Sequence, residues 1–182
     1  MRRFFLIALL VALAVPARAT VLLPIELREL VSTSSAIVHG RVVDARAAWV
    51  DGRRAIETFL TIDVTEYMKG SLGSTVTVRV PGGQIGRYRT IVVGAPAFGE
   101  GDEVVLFLRS YGGNLTIVGI SQGAFRVVAD AGGRRMVTTP VIMGPSVDAS
   151  QAVVRGDATR RPLVIDAFRD MVRRLVTGGA AQ

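Results

Sequence analysis

Four groups of residues have types and spacings that could do chemistry. Gly119-Ile120-Ser121-Gln122-Gly123 fits the G-x-S-x-G pattern of a hydrolase nucleophile elbow. In that elbow a strained strand-to-helix turn presents a serine hydroxyl to a histidine found later in the chain. Here a strand pattern follows Ser121, and the single histidine, His39, lies upstream. A catalytic Ser121 is therefore disfavoured. His39 sits in the apolar run Ala36 to Val43 and reads as a half-buried strand residue, because a catalytic base needs a nucleophile within hydrogen-bond reach. With one histidine and no cysteine, a zinc site would have to draw its other protein ligands from carboxylates. Glu100, Asp102 and Glu103 cluster, but Gly99 and Gly101 surround them and the spacing of a calcium loop is missing, so they read as a solvated turn. No catalytic residue, metal ligand or cofactor is assigned.

The fourth group is the best binding candidate: Gly82, Gly83 and Gln84, followed by Arg87 and Arg89. Glycines can expose backbone N–H groups, and guanidinium groups grip oxyanions in bidentate geometry, so an anionic ligand suits this loop. No Walker or Rossmann pattern is present, and a long connection between strands explains the same residues. Arginine pairs at 53–54, 134–135, 160–161 and 173–174 are scattered and read as solvated surface. Asn114-Leu115-Thr116 fits the N-glycosylation pattern but also reads as a turn before a strand.

The elements that position these groups begin after residue 19. Arg2 and Arg3 followed by the apolar run Phe4 to Val15 and Ala17-Arg18-Ala19 read as a secretory signal peptide over 1–19. The run is too short to span a membrane, which takes about 20 apolar residues. The expectation is an exported protein, periplasmic or extracellular, with no membrane anchor after cleavage. Arg2-Arg3-Phe4-Phe5-Leu6 also resembles part of a twin-arginine signal, although the short n-region favours the general secretory route. Removing Arg2, Arg3 and Arg18 from the 22 basic residues leaves 19 against 15 acids, a net charge of +4 in place of +7. The residual charge is scattered, so a nucleic-acid partner is disfavoured. A cysteine-free exported chain forgoes disulfides, thiolate metal sites and thiol catalysis, and its core must hold unaided.

Within 20–139 the pattern is mostly strand. Pro24 opens a short helix carrying Leu27, Leu30 and Val31. Ala36 to Val50 and Ile56 to Met68 read as strands, joined at Asp51-Gly52 by a hairpin of the type I′ kind. Leu60, Ile62 and Val64 alternate with polar residues, as do Val76, Val78 and Val80. Pro81-Gly82-Gly83 breaks the next strand, and Arg87 to Gly94 reads as another. Val104 to Leu108 is apolar on both faces, as in a central, doubly covered strand. Leu115 to Ile120, Ala124 to Val128 and Arg134 to Thr139 complete the set. Residues 140–161 have no period and read as a linker or surface excursion. Pro162 opens a helix over 162–178, with Leu163, Ala167, Phe168, Met171, Val172 and Leu175 as one apolar stripe ended at Gly178. Short strands joined by glycine-rich turns predict a mainly β fold, a small barrel or sandwich.

Three segments carry a resemblance. Ser35-Ala36-Ile37-Val38-His39-Gly40-Arg41-Val42, Val64-Thr65-Glu66-Tyr67-Met68-Lys69-Gly70 and Gly101-Asp102-Glu103-Val104-Val105-Leu106-Phe107-Leu108 occur in that order. The chain resembles a group of exported bacterial proteins and, more distantly, the netrin-like and metalloproteinase-inhibitor domains. The resemblance covers about residues 34 to 128. It implies an OB-like barrel of five or six strands, here with a short N-terminal helix and a C-terminal amphipathic helix. Those inhibitors chelate zinc through a mature N-terminal cysteine, whereas this chain would begin at Thr20 and has none.

The expected function is an exported, non-enzymatic binding or interaction module whose partner is an exported protein or an anionic ligand. Inhibition or partnering of an exported peptidase follows from the resemblance alone. A serine hydrolase built on Ser121 is the weakest reading.

Overall fold

The computed structural model describes residues 25–138 and 162–179; the segments read above as a signal peptide (1–19) and as a linker or surface excursion (140–161) lie outside the described residues. The fold is mainly β, with one helix toward each end. Helix α1 (Leu27–Thr33) precedes β1 (Ala36–Val50), β2 (Ala55–Lys69), β3 (Thr75–Pro81), β4 (Gly83–Ile85) and β5 (Tyr88–Thr90). After these come β6 (Glu103–Tyr111), β7 (Asn114–Ile117), β8 (Ala124–Ala129), β9 (Arg135–Thr138), β10 (Leu163–Val164) and α2 (Ile165–Gly179). None of the described helices is long and apolar enough to cross a membrane.

The expected five or six strands are too few. The main sheet has eight, ordered β1-β2-β3-β7-β6-β8-β9-β10, and β4 and β5 form a separate two-stranded sheet. β1 also pairs with β6, so the pairings β1-β2-β3-β7-β6 return to β1. Every pairing in that circuit is antiparallel except β3 with β7, which is parallel. The extra strands come from segments too short for alternation to register, such as Leu163–Val164, which pairs with Val137 and Met136.

β6 explains the run that is apolar on both faces. Val104, Leu106 and Leu108 point into one core with Val38, Val42, Leu60, Ile62, Val76, Val78 and Val80. Val105 and Phe107 point into the other, with Ile37, Phe125, Leu30 of α1 and Phe168 of α2. A period of two thus divides one strand between two cores. The second core centres on three rings: Phe125 stands 5.2 Å from Phe168 and 5.5 Å from Phe107.

Three local readings change. The hairpin loop has four residues, with Asp51, Gly52 and Arg53 all left-handed at φ 50°, 64° and 68°, and Arg54 N–H donates to Val50 O. The strand expected from Arg87 to Gly94 is confined to Tyr88–Thr90, because only Gly83–Ile85 faces it. In the C-terminal helix, Leu163 belongs to β10 and Ala167 is exposed, while Ile165 joins Phe168 and Val172 in the buried stripe, and the helix runs one residue past Gly178.

The motif Lys69-Gly70 has a structural basis. Lys69 Nζ donates to Val31 O, 2.7 Å away at the C-terminal end of α1. Gly70 has φ +68°, and a Cβ there would press on Ser35 O. Cation and glycine together seat the helix against the end of β2.

Candidate functional site

Pro81, the last residue of β3, stands between two concavities. One, of about 300 Å³, is lined among others by Thr58, Leu60, Gly82, Gly83, Arg89 and Phe98. The other, of about 260 Å³, is lined among others by Glu57, Arg79, Arg109, Tyr111, Thr116 and Ile120. Val80 and Pro81 line both, so the two concavities adjoin at the end of β3 as a two-part groove, one part on each face of the strand.

Of the residues expected in a binding loop, Gly82, Gly83, Gln84 and Arg89 line the larger concavity. Arg87 stands apart, in the turn before β5, with its guanidinium 5.2 Å from the Tyr88 ring centroid. The glycines act differently from exposed anion-binding amides. Gly82 is buried at φ +92°, and a Cβ on Gly83 would meet Thr58 Oγ1, Ala47 Cβ and Ile56 Cγ2 at 2.8–3.2 Å. They let the β4–β5 hairpin lie flat on the β1–β2 arm, where Thr58 Oγ1 donates to Gly82 O and Thr90 Oγ1 accepts from Ile56 N–H.

The smaller concavity was not legible. Its acid and base come from neighbouring strands: Glu57 of β2 binds both Nε and Nη2 of Arg79 on β3, which raises the Arg79 pKa above its ordinary value. Arg109 and Tyr111 share the exposed end of β6, with the Arg109 guanidinium 6.0 Å from the Tyr111 ring centroid. Tyr111 is 72% exposed. Ile120 reaches the same concavity from the turn before β8 at φ +64°, a left-handed conformation that β-branched residues avoid. The spacing Arg109-x-Tyr111 was the available signal, since i and i+2 share one face of a strand.

The residues with catalytic potential lie elsewhere. His39 is 1% exposed, and its Nε2 lies 2.7 Å from Glu103 Oε1. Its Nδ1 lies 3.4 Å from Glu66 Oε1, off the line of a hydrogen bond. Arg41 and Arg135 flank Glu103, while Arg169 and Arg173 of α2 flank Glu66. The three segments behind the family resemblance therefore meet here, supplying His39, Glu66 and Glu103. The arrangement is an ion-pair junction that ties α2 to the sheet. Ser121 is buried in a turn followed by β8, so the helix of a nucleophile elbow is replaced by a strand. The acidic cluster is split: Asp102 accepts from Arg126 at 2.6 Å and from Gly99 N–H, while Glu103 faces His39. Among the described residues no group of three or more histidine or acidic residues is placed to hold a metal ion.

Comparison with protein families and with characterised proteins gives no match.

Proposed function

We propose that the chain is an exported binding or interaction module, without catalytic activity of its own, that takes an anionic ligand or a partner segment in the groove on either side of Pro81. The groove carries this reading. Its two parts hold Arg79, Arg109 and the exposed Tyr111 on one face of β3 and Arg89 on the other. Arg109 and Arg89 pair with no carboxylate among the described residues, whereas Arg79 is held by Glu57. An exposed guanidinium beside an aromatic ring is a common anchor of binding surfaces.

The pairing circuit supports an OB-like reading in which β1, β2, β3, β6 and β7 form a small barrel and β8, β9 and β10 extend it. OB barrels bind on the face of their second and third strands and in two loops. The counterparts here are β2, β3, the loop at 51–54 and the turn at Gly112-Gly113, and the groove touches β2, β3 and the edge of that turn at Tyr111.

The test is capture from the exported fraction of the source cells at two salt concentrations, with the wild-type chain and an Arg89→Ala/Arg109→Ala variant. A partner held by the wild type and lost at least ten-fold by the variant supports the module. Turnover of any substrate that Ser121→Ala or His39→Ala abolishes, in a variant that remains folded, would sink it.

A further inference from the structure

Trp49 and Tyr88 belong to different hairpins and meet edge to face, with ring centroids 5.6 Å apart and planes at 65°. Arg53, in the loop of the β1–β2 arm, lies 5.6 Å from the Trp49 centroid. Arg87 lies 5.2 Å from the Tyr88 centroid, and its Nη2 donates to the Tyr88 hydroxyl at 3.1 Å. The order Arg53, Trp49, Tyr88, Arg87 forms a stack across two hairpins, with Arg54 and Arg89 exposed beside it in sequence. None of these four arginines pairs with a carboxylate among the described residues. Elsewhere among the described residues Arg41, Arg46, Arg79, Arg126, Arg134, Arg135, Arg169 and Arg173 pair with carboxylates, while Arg28, Arg109 and Arg174 do not. The one acid in the arm's loop, Asp51, acts through space on Arg79.

The Arg53 guanidinium beside its ring keeps its N–H groups for an oxyanion, Arg87 keeps those not given to the Tyr88 hydroxyl, and the rings restrict the rotamers that binding would otherwise have to freeze. The Trp49–Tyr88 contact fixes these two guanidinium groups relative to each other although they come from separate turns. The site therefore suits anionic groups repeated along a chain. One face of each ring is already taken by its arginine, and the rings are inclined, so no parallel pair of open faces is offered to stacked bases. We propose that this stack binds an acidic polysaccharide, gripping carboxylate or phosphate groups on neighbouring sugars. The inference rests on the reading of the chain as a binding module and adds a contact separate from Arg109.

Trp49 is the only tryptophan, so its emission reports on this site directly. The purified chain is titrated with polygalacturonate for carboxylate, with polyphosphate for phosphate, and with neutral dextran and oligothymidylate in parallel. The expected result is a saturable change in Trp49 emission with one or both polyanions, weakened by salt and absent with dextran. Arg53→Ala and Arg87→Ala should each weaken binding about ten-fold, as expected for loss of one charged hydrogen-bonding group. Arg87→Lys, which keeps the charge without the planar fork, should recover less than half of that loss in log affinity. Circular dichroism establishes that the variants are folded. Unchanged affinity in folded Arg53→Ala and Arg87→Ala overturns the stack as the site, and so does a silent Trp49 with both polyanions. Either result leaves the groove standing if Arg89→Ala/Arg109→Ala still abolishes partner capture. Oligothymidylate binding more tightly than either polyanion at equal salt overturns the polysaccharide class in favour of a nucleic acid.

Discussion

Ile120 holds a left-handed backbone with a β-branched side chain, 37% exposed, at the rim of the groove. Such a conformation costs about 1–3 kcal/mol and persists only where the surroundings enforce it. Ile120→Asn, which tolerates that region, is expected to raise unfolding stability by about 0.5–1 kcal/mol in a urea titration. Partner capture should fall in the same variant, because the apolar rim is lost. His39 presents the opposite case. Without its imidazole a buried gap opens and Glu103 loses a hydrogen bond, although Arg41 and Arg135 still flank it, so His39→Ala should cost about 2–3 kcal/mol by the same measurement. At the β8–β9 turn, Asp130 accepts from the N–H groups of Arg134 and Gly132 and from the Arg134 side chain, and its pKa is lowered, chiefly by the Arg134 backbone bond. The turn's contribution is therefore complete above the ordinary carboxylate range and is lost as pH falls through the lower folded value. The amide shifts of Gly132 and Arg134 should titrate together there, and Asp130→Asn should remove that titration.

At the scale of elements, close approach does much of the positioning. Gly83→Val should drive the β4–β5 hairpin off the arm, because the new side chain would meet Thr58, Ala47 and Ile56. Hydrogen exchange at residues 83–90 should rise at least ten-fold while the amides of β6 stay protected. β2 and β3 were legible because their apolar residues repeat with period two, and β6 because its run is apolar on both faces, both local signals. The stack of Arg53, Trp49, Tyr88 and Arg87 was not, since its members lie on two hairpins whose contact depends on what glycine allows at position 83. The His39 junction was hidden for a related reason: its acids stand 27 and 64 residues downstream, and only the pairing of β1 with both β2 and β6 brings them together. The loop expected from Gly82 to Gly86 is instead strand β4 and its turn, and Gly82 and Gly83 serve packing in place of amide exposure. Helix α2 was legible as an amphipathic segment, whereas Ile165 was missed because Pro162 pulled the expected start forward past a two-residue strand.

Among the described residues two cores share β6 as their common wall. Phe168 is the contribution of α2 to the aromatic trio, and Phe168→Ala should cost about 3–4 kcal/mol, the range for a buried phenylalanine truncated in place. The loss should appear in one cooperative transition followed by both tryptophan emission and far-ultraviolet dichroism, because β6 cannot leave one core without disturbing the other. Two separated transitions would show that the helix-side core melts independently. The circuit of strands is far from uniform. β1 and β2 run beside each other for nearly their full lengths, but β3 meets β7 at only Val78 with Leu115 and Arg79 with Thr116. Arg79 and Thr116 also line the smaller concavity. A molecule lodged there would touch both lips of the narrowest join, and would act on the circuit as a rivet acts on a hoop.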